Sequence, residues 1–221
     1  MLNLDITRIL LTIPALIIAL TLHELSHGWV AYRLGDTTAK SQGRLSLNPL
    51  KHIDPIGALF LLIVGFGWAK PVPVNPYAFK NKDKGMALVA LAGPISNFIM
   101  ALLGGIGLMI TYHFFENAVY QGSASMVPYY LTYFWMYFIQ INVVLMVFNL
   151  IPIPPLDGSR VVRAFLSFDW KVRYDRIEQF GMFIMMAMCL PIFGGTSIIS
   201  FILTKPVSAI SQFIYGLAGI M

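Results

Sequence analysis

Four long apolar runs, separated by polar and basic stretches, dominate the chain: about 6–32, 86–112, 129–151 and 181–203. Each reaches the roughly 20 residues that a helix needs to cross a bilayer core, so the pattern predicts four transmembrane helices. Two apolar runs are shorter. Residues 55–68 are too few to cross and read as part of a re-entrant or extended element over about 54–76. Residues 207–221 follow Lys205-Pro206 and read as a short C-terminal apolar helix at or partly in the membrane. No internal repeat or low-complexity tract interrupts this order. The fold class is an all-α polytopic membrane protein, with residues 1–221 as one domain.

Composition agrees with the pattern. The chain is 57% hydrophobic and 11% charged, whereas soluble domains run near 50% apolar and about 25% charged. A soluble globular domain, a disordered chain, a disulfide scaffold and a collagen-like fibre are excluded. The single cysteine, Cys189, allows neither an intrachain disulfide nor a cysteine metal site and reads as a small buried side chain. Residues 1–20 lack the basic run and small-residue cleavage site of a signal peptide.

The charges supply an orientation. Arg33, Lys40, Arg44, Lys51, Lys70, Lys80, Lys82 and Lys84 fall between the first two runs, and Arg160, Arg163, Lys171, Arg173 and Arg176 follow the third. Residues 113–128 carry no Lys or Arg. The positive-inside rule makes both basic segments cytoplasmic and 113–128 external, with Arg8 and Lys205 as minor exceptions. The basic loops therefore serve topology, and no nucleic-acid partner is expected.

Polar residues inside the apolar runs carry the chemistry. His23-Glu24-Leu25-Ser26-His27 lies late in the first run. Two histidines four apart share one helix face and can converge on one ion. HExxH is the pattern of two zinc ligands with a glutamate general base. A carboxylate inside a span is costly and marks a functional site by default. His27 is six residues before Arg33, so it sits about 9 Å inside the cytoplasmic boundary.

A catalytic zinc needs a third protein ligand and an open position. Asp157, in Pro154-Pro155-Leu156-Asp157-Gly158, is the candidate, with a turn or cap residue as the plainer reading. The prolines end the third helix, and the topology brings that end to the level of His23 and His27. Asn97, within Gly93-Pro94-Ile95-Ser96-Asn97, and Asn149 place amides toward the same half of the membrane. Each reads as a donor to substrate or oxyanion, or as an interhelical hydrogen bond. His52 and Asp54 are possible accessory metal groups, or loop hydrogen-bonders beside Pro55.

The intramembrane HExxH, the Gly93–Asn97 segment and the Pro-rich Leu156-Asp157-Gly158 together resemble the site-2 protease family of intramembrane zinc metalloproteases. Arg44, Asn48-Pro49, His52-Ile53-Asp54-Pro55 and residues 67–76 resemble its compact bacterial and archaeal branch without PDZ or CBS domain. The resemblance covers about residues 21–160. It implies one zinc per chain held by His23, His27 and Asp157, Glu24 as base, and Asn149 in substrate handling. Ser159-Arg160 after Gly158 departs mildly from the family pattern. It also implies a transmembrane protein substrate, and a prokaryotic cell membrane with the site toward the cytoplasm. Pro71, Pro73 and Pro76 favour extended backbone, so residues 66–75 form either a plain linker or a strand that pairs with unwound substrate. Three alternatives stand beside this reading: a catalytically silent helix-binding relative, a metal transporter, and a prenyl-protein type of HExxH peptidase. The first would lose Glu24 or a ligand, the second needs a polar path across the membrane, and the third uses a later Glu or His as ligand.

Overall fold

The computed structural model describes residues 6–57, 67–120 and 126–220. Helix α1 (Ile6–Arg33) is followed by a short α2 (Thr38–Ser41), then α3 (Lys82–Tyr120) and α4 (Val127–Asn149). Three shorter helices come next: α5 (Asp157–Phe165), α6 (Phe168–Glu178) and α7 (Gly181–Cys189). A two-stranded hairpin, β1 (Pro191–Phe193) and β2 (Thr196–Ser197), leads into α8 (Ile198–Leu217). Among the described residues, four helices are long and apolar enough to span a bilayer: α1, residues 82–115 of α3, α4 and α8.

Lipid is as apolar as leucine, so spans associate through close packing and polar bonds rather than hydrophobic burial. Helix α3 sits at the centre, packed on α1, α4 and α8. Ala101 and Leu108 of α3 meet Ile139 and Val143 of α4 and Val207 and Ile214 of α8 in the main apolar cluster. Residues Gly104, Gly105 and Gly107 bring α3 against Ile139, Ile214 and Trp135 respectively. A methyl at any of the three would fall within 3.0 Å of those side chains.

Helix α1 stops where Gly35 takes a φ of +106°. The Asp36 N–H donates to the Ala31 carbonyl and the Gly35 N–H to Tyr32, the paired closure of a Schellman motif. The turn delivers Asp36, whose carboxylate accepts from the Thr38 N–H and hydroxyl and from the Asn75 N–H. Burial opposes the Asp36 charge, but these donors outweigh it and hold the carboxyl below the usual range.

The two basic segments meet at one end of the bundle. Asp83, in the first turn of α3, accepts from Arg163 of α5 and Lys171 of α6, and Arg163 forks onto Asp175. This juxtaposition supports placing both segments on one membrane face.

The fourth span differs from the apolar run at 181–203. Leu190 precedes Pro191 and turns extended (φ −68°, ψ 136°). Gly194 and Gly195 then take φ of +56° and +88° in the hairpin turn. The run is therefore cut, and crossing falls to α8, which absorbs Pro206 and most of the expected terminal helix. Ile199 and Leu203 pack on a cluster of Ile151, Leu156 and Met185, whereas Ile214 packs beside Leu108. Helix α8 thus starts near the end of α4 and runs away from it. Of the expected 54–76 element, residues 58–66 lie outside the described residues. Its described ends meet in a bridge between Ile53 and Ala69.

With Cys189 replaced by serine, cysteines at Leu156 and Ile199 should cross-link through a short bifunctional thiol reagent. A span over 181–203 would put residue 199 about 27 Å along the helix from its start, and no cross-link would form.

Candidate metal centre

The HExxH segment is helical, so His23 and His27 stack one turn apart on α1, both buried. Helix α3 runs antiparallel beside it. Val89, Gly93 and Asn97, spaced four apart, present one face to the two imidazoles. The His27 Nδ1 donates to the Val89 carbonyl at 2.7 Å. The His23 Nδ1 donates to Asn97 Oδ1 at 2.6 Å. Between them, a methyl on Gly93 would stand 2.5 Å from His23 Cε1 and from His27 Nε2. Glycine is required there because the imidazoles fill the space of a side chain.

The third group arrives from α4. Pro152, Pro154 and Pro155 prevent α4 from continuing. The chain turns through Leu150–Leu156 and restarts with Asp157 in the first turn of α5. Gly158 lies so close to this turn that a methyl would meet the Leu150 carbonyl oxygen at 2.3 Å. Asp157 Oδ2 consequently stands 3.2 Å from Nε2 of both histidines.

The three atoms form an electron-rich cluster. Both Nδ1 atoms are committed as donors, so in neutral rings both Nε2 atoms carry lone pairs, and these face each other at 3.0 Å. Asp157 Oδ2 is buried and finds no hydrogen-bond donor. Such a cluster calls for a cation. Tetrahedral zinc with ligand bonds of about 2.0–2.2 Å spaces its ligands about 3.3–3.5 Å apart, within a few tenths of the distances seen. No other cluster of three or more metal-ligating side chains occurs among the described residues. Two neutral imidazoles and a carboxylate are a donor set that suits zinc.

A cavity of about 310 Å³ opens beside the cluster. Glu24 lines it together with Val72, Val74, Asn149, Arg160 and Met185. Glu24 Oε2 accepts the Val72 N–H at 3.0 Å from the extended segment 67–75. That segment is strapped in place. Arg44 donates to the carbonyls of Lys70 and Pro71, the Lys70 N–H donates to the His52 carbonyl, and Asn75 is held by Asp36.

The sequence-derived candidates separate here. His23, His27, Glu24 and Asp157 converge, and Asn149 faces the cavity with one amide hydrogen donated to Leu145. Asn97 is fully buried, bonded to His23, Ala19 and Asn142, and does not line the cavity. His52 is not in the cluster: its Nε2 bonds the Ser46 carbonyl. Asp54 accepts from the Ile56 and Gly57 N–H groups in a local turn. Both are loop-building residues in this structure. Sequence reasoning missed Asn142, the Arg44 strap and the Val72 N–H. Asn142, an amide in an otherwise apolar run, carried a readable signal.

Gly93→Ala should weaken zinc binding about 10–100-fold, the scale of changes just outside a metal's own ligands. Chelator competition on the purified protein measures it. Unchanged affinity would mean the imidazoles have room that the structure denies them.

Comparisons with known proteins identify a family and relatives. The model of peptidase family M50 matches residues 11–192. Two relatives named as zinc metalloproteases are YwhC of Bacillus subtilis and Rip2 of Mycolicibacterium smegmatis. YwhC is 40% identical over 180 residues, covering 81% of this chain and 80% of that protein. Rip2 is 28% identical over 187 residues, covering 82% and 67%. The regulator of sigma-E protease RseP of Escherichia coli is 33% identical over 102 residues, covering 41% and 23%. No solved structure gives a significant match. With most of its length matched to that family and to relatives named as zinc metalloproteases, the chain belongs to peptidase family M50, the site-2 protease family.

Proposed function

We propose that this protein is an intramembrane-cleaving zinc endopeptidase, hydrolysing peptide bonds in or near the transmembrane segments of other membrane proteins. The observation that carries the reading is the position of Glu24: it lies between the two histidines in sequence and lines the cavity that borders the histidine–aspartate cluster. In this reading His23, His27 and Asp157 hold one zinc ion. When bound, zinc lowers the pKa of water toward neutrality and polarises a peptide carbonyl. Glu24 Oε2 is anchored by the Val72 N–H, which orients the carboxylate to take the water proton and hand it to the leaving amine. Asn149, which lines the cavity, contacts substrate in the same reading. In this reading the site faces the cytoplasmic side of a prokaryotic cell membrane; the placement of the two basic segments supports the cytoplasmic orientation.

A helical peptide bond is shielded by its own hydrogen bonds, so substrate must unwind before attack. The extended segment 67–75 offers backbone for that purpose, since an unwound chain can pair with an extended edge. The transporter alternative is disfavoured, because the HExxH acid and its partners gather near one end of the spans. The silent-relative alternative is disfavoured by the presence of Glu24 and all three metal-ligating groups.

In detergent, wild type should bind zinc and cleave a model transmembrane substrate. Glu24→Gln should keep zinc and lose cleavage by about 10²–10⁴-fold, the usual contribution of a general base. Asp157→Ala should lose both. Full zinc in Asp157→Ala, or normal cleavage by Glu24→Gln, would overturn the assigned roles. Replacing Val72–Val74 by Gly-Ser-Gly should reduce cleavage of the transmembrane substrate while leaving bound zinc unchanged; cleavage at the wild-type rate would remove the segment from substrate pairing.

A further inference from the structure

Asn97 and Asn142 contribute nothing to the cavity wall, yet both are fully buried and joined side chain to side chain. Their hydrogen bonds have a direction that can be read from the ends. Phe138 presents a backbone carbonyl, which only accepts. Asn142 Nδ2 must therefore donate to it, as it does at 2.9 Å. This leaves Asn142 Oδ1 facing Asn97. A carbonyl oxygen cannot donate, so Asn97 Nδ2 supplies the hydrogen at 2.9 Å, and its second hydrogen goes to the Ala19 carbonyl at 3.3 Å. Asn97 Oδ1 is then left facing His23, and the His23 Nδ1 must be the donor at 2.6 Å. A neutral imidazole with hydrogen on Nδ1 carries its lone pair on Nε2, the atom that faces Asp157 and His27. Reversing either amide would set oxygen against carbonyl oxygen in a buried, low-dielectric setting.

We infer that Asn142 is a positioning residue for the metal: through Asn97 it locks His23 in the tautomer whose Nε2 lone pair is free to bind zinc. The polarity begins at a carbonyl of α4, passes through an amide of α3 and ends on α1. His27 obtains the same tautomer directly from the Val89 carbonyl. The inference rests on the reading of His23 as a zinc ligand.

The competing role for Asn142 is to hold the spans together. Two variants of similar shape separate the roles. Asn142→Asp, kept protonated by burial, keeps an oxygen acceptor toward Asn97 and offers an O–H donor to the Phe138 carbonyl. Asn142→Leu removes it and leaves Asn97 Nδ2 with the longer Ala19 bond alone. Zinc dissociation constants by chelator competition, and the absorption spectrum of the cobalt-substituted protein, are measured beside the unfolding temperature of the metal-free form. Asn142→Leu should weaken zinc about 10–100-fold and change the cobalt spectrum, and Asn142→Asp should restore both. Equal weakening by Asp and Leu, or a shift in unfolding temperature alone, would overturn the inference. If wild type binds no zinc, the ligand reading fails and takes this inference with it. If Asn142→Leu does not fold, the nitrogen-15 spectrum of metal-free wild type decides: hydrogen on His23 Nδ1 supports the inference, and hydrogen on Nε2 overturns it.

Discussion

Three electron-rich atoms held about 3 Å apart inside an apolar bundle are the constraint on which the rest of the structure depends. Left to themselves, two imidazole nitrogens and a carboxylate oxygen would move apart. The fold denies them the space to do so. Val89, Gly93 and Asn97 grip the imidazoles from one face of α3, and the Leu150–Leu156 turn presses Asp157 in from the other side. The cluster is assembled by backbone carbonyls and glycines as much as by its own side chains.

The approach to the cluster follows the same economy. Segment 67–75 has little regular secondary structure, yet it is fixed at several points, by Arg44, by Asp36, by His52 and by Glu24. Its prolines remove backbone donors at 71 and 73, and the donor between them, the Val72 N–H, is the one that meets Glu24. An otherwise irregular stretch is therefore held in place along an edge of the cavity.

Much of this was legible in the chain itself. Hydropathy located three spans closely, because α1, α3 and α4 are apolar runs bounded by charge or proline. It misplaced the fourth, because apolar composition is the same in a nine-residue helix, a hairpin and a span; only Pro191 and Gly194-Gly195 marked the break. HExxH and Leu156-Asp157-Gly158 announced their chemistry through spacing and through the cost of charge in lipid. Asn97 was singled out for the right reason, an amide in an apolar run, but composition does not say whether an amide faces a cavity or a neighbouring ring. Asn142 escaped notice because its neighbours form no motif, and its significance lies in a contact 45 residues away in sequence.

The cluster also has an order of assembly written into it. His23 and His27 leave the ribosome early, on the first span, whereas Asp157 follows the third. The carboxylate cannot meet the histidines until two further spans have entered the bilayer and packed. During synthesis the nascent chain therefore exposes a glutamate and two histidines without the third group, and the complete cluster appears only once the bundle is built. Until then the glutamate and the two histidines stand without the group that completes the cluster, while the chain's own unpacked helices are still passing through the membrane beside them.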